Sequence, residues 1–207
     1  MWTIEPGPLG LPDDQDIGIV RALRCCVVLH PGRDWAWMLP MIPTRRRLEY
    51  ANGYLLLGMV QEAAGELAQI GREDVQKPEV RAAMVDLHLA QGNWALMAEG
   101  AEGLAADNPD EAQWWVHWAY ALRELQLVKE AKVVALRGLE RHSDEPILHF
   151  NLACYLSLLG EYDPASDHLN RAISLDERFQ EESVQDPDLA GLWAWFSEGQ
   201  DGKAHST

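Results

Sequence analysis

The sequence predicts an all-α chain, an α-solenoid of four helical hairpins with an N-terminal extension and a C-terminal cap helix. Three observations carry that reading. Gly58, Gly92 and Gly160 fall on one lattice of 34 residues, whose missing point is Gln126. Small and apolar residues run in phase with it, without insertion: Ala51, Val85, Ala119 and Ala153 seven places before, Ala63, Met97, Ala131 and Ala165 five places after. Two further columns are Tyr50, Met84, Trp118 and Leu152, then Val60, Trp94, Val128 and Tyr162. Between lattice points apolar residues recur at helical spacing, as in Leu152, Tyr155, Leu156 and Leu159, then Tyr162, Ala165, Leu169, Ala172 and Ile173.

The elements follow in chain order. Residues 1–12 hold Pro6, Gly7, Pro8, Gly10 and Pro12, which predicts no regular structure. Residues 13–30 form a candidate amphipathic helix with Ile17, Val20, Leu23 and Val27 on one side, ended by Pro31-Gly32, although its Cys25-Cys26-Val27-Val28 run favours a strand. Its best structural use is to cover the first hairpin. Residues 31–43 read as an extended apolar segment with Trp35, Trp37 and Met38, completing an extension over 1–43. The four hairpins are 44–77, 78–111, 112–145 and 146–179. In three of the four, the first helix closes at the lattice glycine, because glycine takes the left-handed conformation of a helix C-terminus without penalty. Thr44 is the candidate N-cap of the first hairpin, and Pro78 and Pro146 sit at helix starts, where a missing N–H costs nothing. Asn108-Pro109 and His142-Ser143-Asp144 end second helices.

Residues 177–185 read as a divergent linker. The cap helix lies within 180–197, with Asp186 as N-cap, Pro187 at the first helical position, and Leu189, Leu192, Trp193 and Phe196 apolar. Residues 198–207 are expected to be a disordered tail. A hairpin cannot bury its own apolar face, so the units must stack and the last open face must be covered.

Composition excludes several functions. The chain has 33 acidic against 17 basic residues in 207, a net charge of -16. Phosphate binding needs a basic footprint, so a nucleic-acid partner is excluded, and an anionic membrane surface is equally unfavourable. Cys25 and Cys26 are adjacent and Cys154 is alone, too few for a disulfide framework. The first ten residues have neither Lys nor Arg nor an apolar core, and the longest apolar runs are far shorter than a spanning helix. The reading is a cytoplasmic, soluble protein.

The run Asn151-Leu-Ala-Cys-Tyr-Leu-Ser-Leu-Leu-Gly160-Glu-Tyr162-Asp-Pro-Ala165 resembles the core of the tetratricopeptide repeat, with Ala153 and Leu156 departing from it. Tyr50-Ala51, Tyr54, Gly58 and Ala63 match it too. The third unit keeps the family's Trp at Trp115 but lacks the glycine, and the second, with His88 and Met97 at signature points, is the weakest. The resemblance covers 136 of 207 residues. The stretch 186–193 is similar to the end helix of bacterial proteins of this type. The resemblance implies a non-enzymatic scaffold whose first helices line a concave groove for a peptide or helix of a partner protein. Carried over position by position, the lining is Leu48, Asn52 and Leu55, then Ala82, Asp86 and Leu89, then Val116, Tyr120 and Arg123, then Phe150, Cys154 and Ser157. Tyr120 and Phe150 are expected to point their rings into it. The family's carboxylate clamp, which grips an acidic tail, needs a lysine where Leu48 stands, and Glu79 and Ala83 occupy other positions of it, so that ligand is rejected.

Other chemistry has little footing. No zinc spacing, nucleophile elbow, Walker loop or dinucleotide fingerprint occurs, and neither metal nor cofactor is expected. Asp13-Asp14-Gln15-Asp16 lacks the glycine and distal Glu of a calcium loop. Arg45-Arg46-Arg47 reads as a solvated helix face, with contact to an acidic partner as the alternative. Trp115 and Trp118 fall in core columns, whereas Trp114 either covers a loop or anchors an interface. Two alternatives to the scaffold stand: a type III secretion-like chaperone for an apolar segment of a secreted protein, and a thiol-dependent enzyme built on Cys26, His30 and Trp35. The partner's identity and the oligomeric state stay open.

Overall fold

A computed structural model describes residues 42–204, all within the compact unit 42–207. The expectations for 1–41, including the helix over 13–30, lie outside the described residues. Among the described residues ten α-helices follow one another: α1 Thr44–Leu56, α2 Val60–Leu67, α3 Pro78–Gln91, α4 Trp94–Asp107, α5 Ala112–Glu124, α6 Val128–Leu139, α7 Pro146–Leu158, α8 Tyr162–Leu175, α9 Arg178–Gln185 and α10 Ala190–Ala204, with a 3-10 turn at Pro187–Leu189. From α1 to α9 each packs on its neighbour in sequence, α10 packs back on α7 and α8, and α1 meets α3 and α5 meets α7 as well. The architecture is all-α, helices packed antiparallel in sequential order.

The lattice governs the turn inside each hairpin. Gly58, Gly92 and Gly160 have φ of 71°, 65° and 76°, and Gln126 has φ 63° in the glycine's place. The hydrogen bonds repeat in the same phase. Met59, Asn93, Leu127 and Glu161 donate their backbone N–H groups to the carbonyls of Tyr54, His88, Leu122 and Leu156, at 2.8–2.9 Å. These 6→1 bonds satisfy carbonyls that a helix end would leave unpaired. The columns before and after the turn are the tightest packing: Ala51, Val85, Ala119, Ala153, Ala63, Met97, Ala131 and Ala165 are all 0–1% exposed. Small side chains let two helix backbones approach closely, and larger neighbours fill between hairpins. Gly138 extends this on α6, where an added Cβ would sit 2.9 Å from Trp115 Cβ and 3.0 Å from Leu148 Cδ1.

The helix starts bring one correction. Pro78 and Pro146 stand at the first helical position, as expected. Thr44 does not cap α1. It is the helix's first residue, Pro43 precedes it, and its hydroxyl donates to Asp74 Oδ2 at 2.5 Å. The loop after α2 takes the hydroxyl that the cap would have used.

The end of the chain departs further from the linear reading. The supposed linker 177–185 contains α9, which buries Phe179 and Ser183. Asp186 does cap, accepting from the Asp188 backbone N–H at 2.8 Å, but it caps the 3-10 turn that leads into α10. Leu189 and Leu192 are fully buried, Trp193 Nε1 donates to the Ser183 carbonyl at 2.8 Å, and Trp195 lies on Tyr162 with ring centroids 5.9 Å apart. Helix α10 continues to Ala204, past the expected end of order at 197, and the Ser197 hydroxyl donates to the Trp193 carbonyl at 3.0 Å.

Candidate functional site

The first helix of each hairpin (α1, α3, α5, α7) carries three of the twelve mapped positions, and these divide into an open and a covered set. On α1 and α3, Asn52, Asp86 and Leu89 are exposed, and Leu48, Leu55 and Ala82 are half-buried. On α5, Val116 is half-buried and Tyr120 is 37% exposed, its ring edge-on to Trp94 at 5.8 Å. On α7 the surface closes. Phe150, Cys154 and Ser157 are each under 8% exposed.

The cover is the chain's own C-terminal segment. Phe179 of α9 stacks on Phe150 with centroids 4.7 Å apart and planes 27° apart. The Cys154 thiol donates to Asp186 Oδ2 at 3.7 Å. Arg123 of α5 reaches across, its Nε donating to Asp188 Oδ2 at 2.7 Å and its Nη2 to Oδ1. Arg123 Nη1 also meets Glu124 Oε1 at 3.1 Å. The two-point bond to Asp188 holds the guanidinium charged well above the ordinary arginine range. Phe150 therefore does not point into an open groove, contrary to expectation, because its face is apolar enough to recruit Phe179.

Burial, then the Asp186 and Asp188 carboxylates, push the Cys154 thiol far above the thiol range, so it stays protonated and non-nucleophilic. Cys25, Cys26, His30 and Trp35, the residues of the thiol-enzyme alternative, lie outside the described residues. Position-by-position mapping missed His117, three residues before Tyr120 on α5. Burial holds it below the usual imidazole range, and Asp86 on α3 opposes that shift; desolvation lifts Asp86 itself. Among the described residues Asp86 makes no ion pair. His117 and Asp86 stand on two different first helices, so spacing within one helix gives no signal of their mutual influence.

Other candidates resolve into structure. Trp114 is 5% exposed and its indole N–H donates to Glu111 Oε2 at 2.8 Å, which removes it as an interface anchor. Arg45 and Arg46 pair with Glu49, and Arg47 with Glu66 at 2.8 Å. His142 bonds the Pro109 carbonyl at 3.0 Å, and His149 meets His168, Nδ1 to Nδ1, at 2.9 Å. Among the described residues no three potential ligands gather around a metal position. A separate cleft of ≈ 580 Å³ is lined by Glu102, Trp118, Leu122, Lys129, Glu130, Val133, Val134 and Arg137. Arg137 lies over the Trp115 and Trp118 rings at 5.3 and 5.5 Å.

No family model and no curated protein matches the chain. Solved structures do. The thermophilic TPR protein TTC0263 of Thermus thermophilus is 18% identical over 79% of this chain and 93% of that one, with a TM-score of 0.58. MamA of Desulfovibrio magneticus RS-1 is 13% identical over 79% and 97%, TM-score 0.59. MamA MSR-1 is 19% identical over 78% and 90%, also at 0.59. The fold is thus that of a tetratricopeptide-like helical repeat protein. Among the described residues no helix is long and apolar enough to cross a membrane.

Proposed function

We propose that this chain is a non-enzymatic scaffold that binds a peptide or helix of a partner protein on the face shared by α1, α3 and α5. The docking face comprises Leu48, Asn52, Leu55, Ala82, Asp86, Leu89, Val116 and Tyr120. Arg123 stands at its end, and Phe150, Cys154 and Ser157 serve as the floor beneath the cap. The observation that carries the reading is the contrast between neighbours. The same face is sealed by the chain itself over α7 and left with an exposed aromatic ring over α5. Exposed Tyr at the centre of an apolar face is a typical binding anchor. An amphipathic helix or extended segment with apolar side chains suits such a lining.

The test is Leu89→Ala with Tyr120→Ala in the full chain. The expected result is loss of the partners that the parent retains, in a variant that still melts cooperatively, because each side chain is more than a third exposed. Retention of the same partners by a variant that melts like the parent would move the binding surface elsewhere.

A further inference from the structure

The face that α5 offers has a definite sign. Arg123 is the one basic residue among the twelve mapped positions, and it is already taken: Asp188 binds two of its nitrogens and Glu124 a third. Asp186 lies beside the same group. Farther along, Asp86 on α3 is exposed and among the described residues makes no ion pair, and burial holds His117, on which it acts, below the usual imidazole range. Four carboxylates thus stand against one guanidinium, from the α3 side to the cap. Between them lie the apolar Val116 and the exposed Tyr120 ring. Val116, Tyr120 and Glu124 recur every four residues, so they occupy one face of α5.

Resting on the binding face proposed above, we infer that its partner is a basic amphipathic segment. Its apolar side chains pack on Val116 and Tyr120, and its Lys or Arg side chains reach Asp86 on one flank and Glu124 on the other. Charge complementarity carries the choice. The twelve mapped positions hold no unpaired cation to receive a carboxylate, and the whole chain, at -16, repels an acidic ligand before contact. A basic ligand is steered by the same field and meets two carboxylates beside an apolar strip. Apolar residues alone would accept any hydrophobic peptide; the flanking acids supply the selection.

The experiment selects peptides from a displayed library of random sequences, about 16 residues long or roughly four helical turns, on the full chain at near-physiological salt. In parallel, it uses the Asp86→Lys/Glu124→Lys variant. Melting temperatures establish that the variant is folded. The expected binders are rich in Lys or Arg spaced among apolar residues, and lose about tenfold or more in affinity on the variant. Chemical-shift changes should centre on Val116 and Tyr120. Binders that are acidic or uncharged, yet shift those residues, overturn the basic partner and leave the binding face standing. Basic binders indifferent to the double variant overturn it too, as field effects of the whole chain. Binders that shift no residue of α1, α3 or α5 overturn the binding face itself.

Discussion

Arg123 and Asp188, 65 residues apart in sequence, are joined by a two-point ion pair that fastens the C-terminal segment across the first helices of the third and fourth hairpins. The pair is more than three-quarters buried on both sides. Asp188→Asn should lower stability by about 1–3 kcal/mol, between the surface and fully buried limits for ion pairs. The cover over Cys154 should loosen with it. Alkylation of Cys154, followed by peptide mapping, should be faster in Asp188→Asn than in the parent. Equal rates would mean that Phe179, Leu189 and Leu192 hold the segment unaided.

The left-handed Gln126 supplies a prediction of opposite sign. A residue with a Cβ pays to hold φ at 63°, a cost that glycine avoids. Gln126→Gly should raise stability by about 0.5–1 kcal/mol, after the extra freedom of glycine in the unfolded chain is offset. A rise in the urea midpoint at constant slope would show it.

Two glycines inside helices should respond in opposite ways to alanine. Gly53 of α1 has nothing within 4 Å of an added Cβ, so Gly53→Ala should stabilise by about 0.5–1 kcal/mol through helix propensity. In Gly138→Ala the methyl presses inside van der Waals distance of Trp115 and Leu148, and should destabilise by about 1–3 kcal/mol. Thermal melts of the two variants make the comparison.

Acid should weaken the fold through His117. Its folded pKa lies below the unfolded value, so the unfolded chain takes the proton first. The stability that His117 contributes is present at neutral pH and is lost as pH falls through the unfolded imidazole range, until the folded ring also protonates. Asp86 moves the other way: its raised carboxyl favours the folded state in acid. His117→Gln should flatten the fall in urea midpoint between about pH 7.5 and about pH 5.5, one unit either side of the ordinary imidazole pKa. An unchanged slope would mean that this histidine is not the group responsible.

The repeat was legible because its physics is local. A left-handed helix end demands glycine and a close helix crossing demands alanine, so both leave residue types at fixed spacing. Even Gln126, where the residue type fails, keeps the backbone the lattice requires. The cap was only half legible. Asp186, Pro187, Leu189 and Leu192 signal a helix start and an apolar face, but α9 is eight residues, polar at all but two of them, and its place depends on one ring, Phe179. Which mapped positions remain open was not legible at all, since Phe150 and Tyr120 sit on successive first helices and look alike as aromatic groove residues. Only the tertiary path of 178–192 separates them. The same holds for Asp86 and His117, which influence each other from two different helices.

The measurement that reaches the central claim most directly is site-specific photo-crosslinking in the native host. A photoreactive phenylalanine analogue replaces Tyr120 in one full-length variant and Val133, exposed on α6 and lining the separate cleft, in another. The account predicts covalent capture of a protein partner from position 120, reduced by Asp86→Lys, and none from position 133. Capture from 133 with none from 120 would contradict it and place the interface on the cleft lined by α4, α5 and α6.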